Sequence, residues 1–199
     1  TGKEVFFFFF NHVQIRITYV AAYNTIGPVD SIWPEFLNRT TLVCQKFSIK
    51  ETIKHCDVVF LALPHTESMK VAGALLKAGL KVIDLSADYR LKNVKTYEAW
   101  YNHKHADSKN LPKAVYGLPE LYREKIKKAN LIANPGCYPT AAILGLAPLV
   151  TTHSKSITSI IIDAKSGISG AGRKASVNLL MSEMSENFKA YKVLSHQHA

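Results

Sequence analysis

Apolar and polar positions change rhythm several times along this chain. "VQIRITYV", residues 13–20, alternates: Val13, Ile15, Ile17 and Tyr19 fall on one face, Gln14, Arg16 and Thr18 on the other. A period of two predicts a half-buried strand. "DVVFLAL", residues 57–63, is apolar on both faces, as a strand inside a parallel sheet is, and Pro64 ends it. "TESMKVAGALLKAG" then has the spacing of a helix, with Thr66 as N-cap and Gly79 as the C-terminal stop. "LKVIDLS" predicts another strand, "PELYREKIKKA" a polar helix with Pro119 near its start, and "NLIAN" a strand followed by an apolar helix after Cys137. "SITSIIIDAKS" reads as a strand, "GISGAG" as a glycine loop and "RKASVNLLMSEMSENF" as a helix. "NHKHADSKNLPKA" is the one polar, loop-like tract.

Strands that alternate with helices predict an α/β fold with right-handed crossovers. Ligands in such sheets bind beyond the carboxyl ends of the strands. The loops predicted there are "ALPHTES", "DLSADYR", "ANPGCYP" and "KSGISGAGR", which bring His65, Ser86, Asp88, Arg90, Cys137, Ser166 and Arg173 toward one end of the sheet.

Composition changes this picture little. The 199 residues are 47% hydrophobic, enough for a core, and no apolar run is long enough to cross a bilayer. The formal charge of +10 is spread over separated lysines rather than a block interleaved with aromatics. That disfavours nucleic acid and fits a basic surface attractive to anionic substrates and phosphate cofactors. Cys44, Cys56 and Cys137 form no CxxC pair and no metal-ligand set. An odd, sparse count predicts reduced thiols in a cytosol-like compartment.

Cys137 is the candidate nucleophile. A cysteine in the first turn of a helix faces unpaired N–H groups and the positive end of the macrodipole, and both favour the thiolate. Position alone leaves a structural cysteine equally open. The glycines of "SGISGAGR" offer backbone N–H groups to an anion, with Arg173 close by, although glycine loops are also ordinary connectors. His196 and His198 offer proton transfer or are plain surface residues, and no further ligand accompanies them to suggest a metal.

Taken together, "VVFLALPH", "KVIDLSADYRL", "VYGLPEL", "LIANPGCYPTA" and "SGISGAGR" resemble the N-acetyl-gamma-glutamyl-phosphate reductases of arginine biosynthesis, from about residue 11 to the last residue. The resemblance implies a Rossmann-like NADP-binding domain over residues 1–136 and the beginning of an α+β catalytic and dimerisation domain over residues 137–199. It implies NADPH-dependent reduction of an acyl phosphate through a thioester on Cys137, with His196 or His198 moving protons and His196 the preferred choice. It implies cofactor contacts from Pro64, His65, Ser166, Gly167, Ser169, Gly170, Ala171 and Gly172, and substrate contacts from Asn134 and Arg173. Arg90 is assigned to the substrate phosphate because a planar guanidinium binds phosphate bidentately, the alternative being a surface ion pair with Asp88. No metal, nucleic acid or membrane partner is implied. A homodimer or homotetramer in the cytoplasm, or in an organelle of a eukaryote, is.

The chain departs from the family in four places. Of the fingerprint ending Gly-Tyr-Thr-Gly, only Thr1 and Gly2 match, so the first strand and the phosphate cradle are expected to lie outside this sequence. The second domain is expected to continue past Ala199. Residues 6–10 are five phenylalanines, which leave no helix face polar and, if exposed, would invite aggregation. Ala21, Ala22, Tyr23 and Asn24 follow the first predicted strand. The lack of an acid there disfavours NAD, whose ribose hydroxyls prefer Asp or Glu. Two other readings compete: a related reductase acting on a different acyl group, and a non-catalytic nucleotide-binding fragment.

Overall fold

The structure, a computed structural model, describes residues 1–172 and 175–193. The chain separates into a unit Thr1–Pro135 and a unit Gly136–Ala199.

In the first unit the order is α1 (Gly2–Phe10), β1 (Val20–Ala22), β2 (Gly27–Pro28), α2 (Val29–Ile32), β3 (Val43–Lys46), α3 (Ile49–His55), β4 (Val58–Leu61), α4 (Ser68–Lys77), β5 (Lys81–Asp84), α5 (Val94–Tyr101), β6 (Val115–Tyr116), α6 (Pro119–Lys128) and β7 (Leu131–Ala133). One sheet has the order β1-β3-β2 and the other β4-β5-β7-β6. Every pairing is parallel except β2 on β3.

"VQIRITYV" contributes less strand than its alternation predicts. Only Val20–Ala22 pairs, against Cys44–Lys46, and Val13 is 98% exposed. Alternation makes a strand possible, but a ladder exists only where a neighbour supplies the hydrogen bonds.

Local signals set the helix ends. Ser48 caps α3, its hydroxyl accepting the Glu51 N–H at 3.4 Å, and Glu51 stands where a capping box puts its acid. Asn93 does the same for α5, at 3.0 Å from the Thr96 N–H. Gly79, at φ +88°, ends α4 in a Schellman motif: its N–H donates to the Leu76 carbonyl and the Leu80 N–H to the Leu75 carbonyl. Leu75 and Leu80 are both buried, which supplies the apolar contact that accompanies this motif. The start of α4 differs from expectation. Thr66 is not the cap; it sits at φ +74°, and the helix begins after Glu67.

Each sheet has its own core. Leu61, Leu75, Val82, Tyr97, Leu111 and Leu131 pack around the four-stranded sheet. Full burial of one such leucine is worth about 2 kcal/mol. Phe6, Val29, Phe36 and Cys44 pack beside the three-stranded sheet. The phenylalanine run divides accordingly. Phe6 is buried against Trp33 and Phe36, and Phe9 lies 4.6 Å from Phe60, whereas Phe7 and Phe8 are exposed.

The second unit holds α7 (Cys137–His153) and the short α8 (Met181–Met184), with 3-10 turns at Ile168–Ala171 and Val177–Leu179. "SITSIIIDAKS" pairs with no strand among the described residues, and the helix predicted after "GISGAG" is reduced to the 3-10 turn and α8.

Candidate functional site

The carboxyl ends of β4, β5 and β7 carry the predicted loops of the first unit. Pro64 and His65 follow β4 and are exposed. His65 Nδ1 accepts the Ala87 N–H at 3.0 Å, tying the β4 loop to the β5 loop.

The β5 loop is organised around two buried carboxylates. Asp84 closes β5, accepting the Ser86 N–H at 3.0 Å and the Ser86 hydroxyl at 2.8 Å. Ser86 Oγ accepts the Asp88 N–H in turn. Asp88 accepts the Thr66 N–H at 2.8 Å and the Met69 N–H at 3.0 Å, so it caps α4 from across the sheet end. A carboxylate at a helix N-terminus also suits the macrodipole. The Tyr97 hydroxyl donates to the same Asp88 oxygen as the Thr66 N–H, at 3.4 Å. Burial pushes the Asp84 carboxyl above its ordinary pKa, with the nearby Asp88 adding to the rise and hydrogen bonds opposing it. Burial likewise raises the phenols of Tyr89 and Tyr97, which stay protonated donors.

Arg90 takes no ion pair with Asp88. Its Nε donates to the Asn134 carbonyl at 2.8 Å and its Nη2 to the Leu85 carbonyl at 3.2 Å. The guanidinium therefore clamps the loop after β5 to the end of β7. Asn134 is held again by its N–H on the Asp84 carbonyl at 2.8 Å. Gly117 presses on the same strand: a Cβ there would stand 2.9 Å from Ile132 Cγ2 and 3.1 Å from the Ala133 oxygen. His65, Arg90 and Asn134 are thus brought to one end of one sheet.

Behind this loop lies a network that composition hides. The tract "NHKHADSKNLPKA" reads as a polar loop, yet His105, Asp107 and Asn110 are buried. His105 Nε2 bonds the Asp88 carbonyl oxygen at 2.7 Å, and the Tyr89 hydroxyl donates to Asp107 at 2.8 Å. The signal available in the sequence was the spacing of His105, Asp107 and Asn110 just before the apolar Leu111.

In the second unit Cys137 is exposed and is the first residue of α7. The preceding Gly136 carbonyl accepts both the N–H and the hydroxyl of Thr140, at 3.0 and 2.8 Å, which closes the first turn. Tyr191 donates to the Tyr138 hydroxyl at 2.8 Å beside it. Cys44 and Cys56 differ: one is buried and the other half-buried, and desolvation raises both thiols. Ser166, Gly167, Ser169, Gly170, Ala171 and Gly172 lie in an exposed segment around the Ile168–Ala171 turn. Arg173, His196 and His198 lie outside the described residues. No cluster of three metal-ligating side chains occurs among the described residues, and no helix there is long and apolar enough to cross a membrane.

A parallel sheet with crossover helices and converging loops at its carboxyl ends defines the class: a Rossmann-like nucleotide-binding α/β domain. The family described as "Semialdehyde dehydrogenase, NAD binding domain" matches residues 1–129, and "Semialdehyde dehydrogenase, dimerisation domain" matches residues 137–199. The chain belongs to the semialdehyde dehydrogenase family.

Two curated relatives are named N-acetyl-gamma-glutamyl-phosphate reductase. That of Desulfotalea psychrophila is 46% identical over 200 residues, covering 100% of this chain and 58% of the relative. That of Acinetobacter baumannii strain AYE is 47% identical over 201 residues, covering 100% of this chain and 57% of the relative. The chain thus spans less than two thirds of the length of these relatives. The crystal structure of aspartate semialdehyde dehydrogenase with NADP from Candida albicans shares the fold. It is 16% identical, with a TM-score of 0.53 over 75% of this chain and 43% of that one.

Proposed function

We propose that the protein reduces N-acetyl-glutamyl 5-phosphate to N-acetyl-glutamate 5-semialdehyde, releasing phosphate, as a step of arginine biosynthesis with NADPH as reductant. The observation that carries this reading is similarity along the whole chain, at 46% and 47% identity, to proteins named for that reduction. Residues 1–136 act as the cofactor domain and 137–199 as the beginning of the catalytic and dimerisation domain.

The Cys137 thiolate attacks the acyl carbon, the carbon–oxygen bond to phosphate breaks, and a thioester remains on sulfur. NADPH, when bound, supplies the hydride that reduces the thioester carbon. Collapse of the resulting thiohemiacetal breaks the carbon–sulfur bond, frees the aldehyde and returns the thiolate. His196, with His198 the alternative, moves protons at the oxygen and sulfur. Arg90 holds the substrate phosphate with the guanidinium N–H groups left over from its two carbonyl bonds, and Asn134 and Arg173 complete the substrate contacts. Pro64, His65 and residues 166–172 line the cofactor. The exposed run after β1, Tyr23, Asn24, Thr25 and Ile26, contains no acid and so fits a ribose carrying a 2′-phosphate. The match to a dimerisation family supports a homodimer or homotetramer. Three free cysteines support a reducing compartment, the cytoplasm or a eukaryotic organelle.

The test is Cys137→Ser in the protein, followed by NADPH oxidation with the acyl phosphate. Turnover should vanish while NADPH binding stays within about twofold, and His196→Asn should slow turnover by roughly 10² to 10⁴-fold. Near-normal turnover by Cys137→Ser would remove the covalent route, and preference for NADH would remove the NADP assignment.

A further inference from the structure

The amino ends of the strands carry a second feature that the proposed reduction does not use. A cavity of about 700 Å³ lies between the end of α4, residues 109–115, the end of α6 and the start of β7. Lys77, Lys109, Lys113, Lys125 and Lys128 line it, and no carboxylate does. None of the five makes an ion pair with an acid among the described residues. Lys113 is steered instead by Asn110, whose side-chain oxygen accepts its ammonium at 3.1 Å while its amide donates to Asp107.

Helix C-termini favour basic residues, which accounts singly for Lys77, Lys125 and Lys128. It does not account for Lys109 and Lys113, which come from a different segment and converge on the same cavity. Like charges gathered with no carboxylate in the cavity lining repel one another, and a bound polyanion relieves that repulsion. The floor is apolar, formed by Leu76, Val115, Ala129 and Leu131. Lysine rim, apolar floor and a volume within the range of small-molecule sites suit a ligand with several phosphates and one flat organic group. Nucleic acid fits poorly, because the lysines ring a concavity rather than a stripe and no aromatic platform lines it. We infer that this cavity is a site for a nucleoside polyphosphate, at the opposite end of the sheet from the predicted reaction loops.

The test is calorimetric titration of the full chain with ATP, with inorganic triphosphate and with adenosine. ATP should bind, and more tightly than triphosphate, and adenosine should not bind measurably. Lys109→Gln/Lys113→Gln should weaken ATP at least tenfold. Lys50→Gln/Lys54→Gln, which removes the same charge from the exposed face of α3, should leave it unchanged. The inference is overturned if ATP does not bind, if triphosphate binds as tightly, if the cavity variant binds normally, or if both variants lose affinity equally.

Discussion

"DVVFLAL" and "SITSIIIDAKS" look alike as sequence: both are apolar, rich in β-branched residues and bounded by polar positions. The first becomes β4, hydrogen-bonded in parallel to β5 from Val58↔Lys81 to Leu61↔Asp84, with Leu61 in the core. The second pairs with nothing among the described residues, and Ile161 in its middle is 91% exposed. The difference teaches that an apolar run states a need for burial without saying what meets it. For β4 the partners lie within the same 135-residue unit: α4 crosses over, β5 pairs, and Leu75 closes the core behind them.

This contrast can be broken or sharpened by mutation, with stability of the full chain read from urea denaturation. The largest effect should come from Asp88→Ala. It strands the Thr66 N–H, the Met69 N–H and the Tyr97 hydroxyl together, and each stranded donor costs about 1–3 kcal/mol, so a loss of about 4 kcal/mol is expected. A loss below about 1 kcal/mol would mean that the cap on α4 is dispensable. Leu75→Ala should follow at about 3 kcal/mol, because Leu75 is completely buried and its removal opens a cavity. Gly117→Ala should cost about 2 kcal/mol, since its Cβ meets Ile132 and the Ala133 carbonyl rather than a yielding side-chain tip. An unchanged midpoint for that variant would show that β6 and β7 can separate freely. The smallest effect belongs to the other region. Ile161→Ala should change stability by no more than about 0.5 kcal/mol, as exposed substitutions do. A loss of about 2 kcal/mol there would place Ile161 in a core after all and erase the contrast.

The cysteines offer a chemical version of the same comparison. Cys137 is exposed, whereas Cys44 and Cys56 are covered and their thiols raised. Mass spectrometry after a short iodoacetamide pulse near neutral pH should find Cys137 labelled first. Faster labelling at Cys44 would contradict the burial of the three-stranded sheet.

Much of the α/β organisation could be read from the sequence by itself, because its causes are local. Apolar runs of strand length and the Gly79 stop each act within a few residues. The motif around Cys137 was legible for the same reason: proline, glycine and cysteine stand adjacent where β7 ends and α7 begins. Other features joined residues that are distant in the chain. Asp88 displaced Thr66 as the cap of α4 because the ends of β4 and β5 meet, and a buried carboxylate takes whichever N–H groups it faces. Arg90 left Asp88 for the Asn134 carbonyl 44 residues away, since Asp88 was already occupied. His105 and Asp107 turned inward because the core offered them the Asp88 carbonyl and the Tyr89 phenol, and Asn110 joins them by donating its amide to Asp107. The sequence by itself therefore determined which segments favour helix or strand and where the reactive side chains stand along them. Only the tertiary structure decided which polar groups are buried and with what partners, because a hydrogen bond across a sheet end depends on which strands become neighbours, and no local preference specifies that.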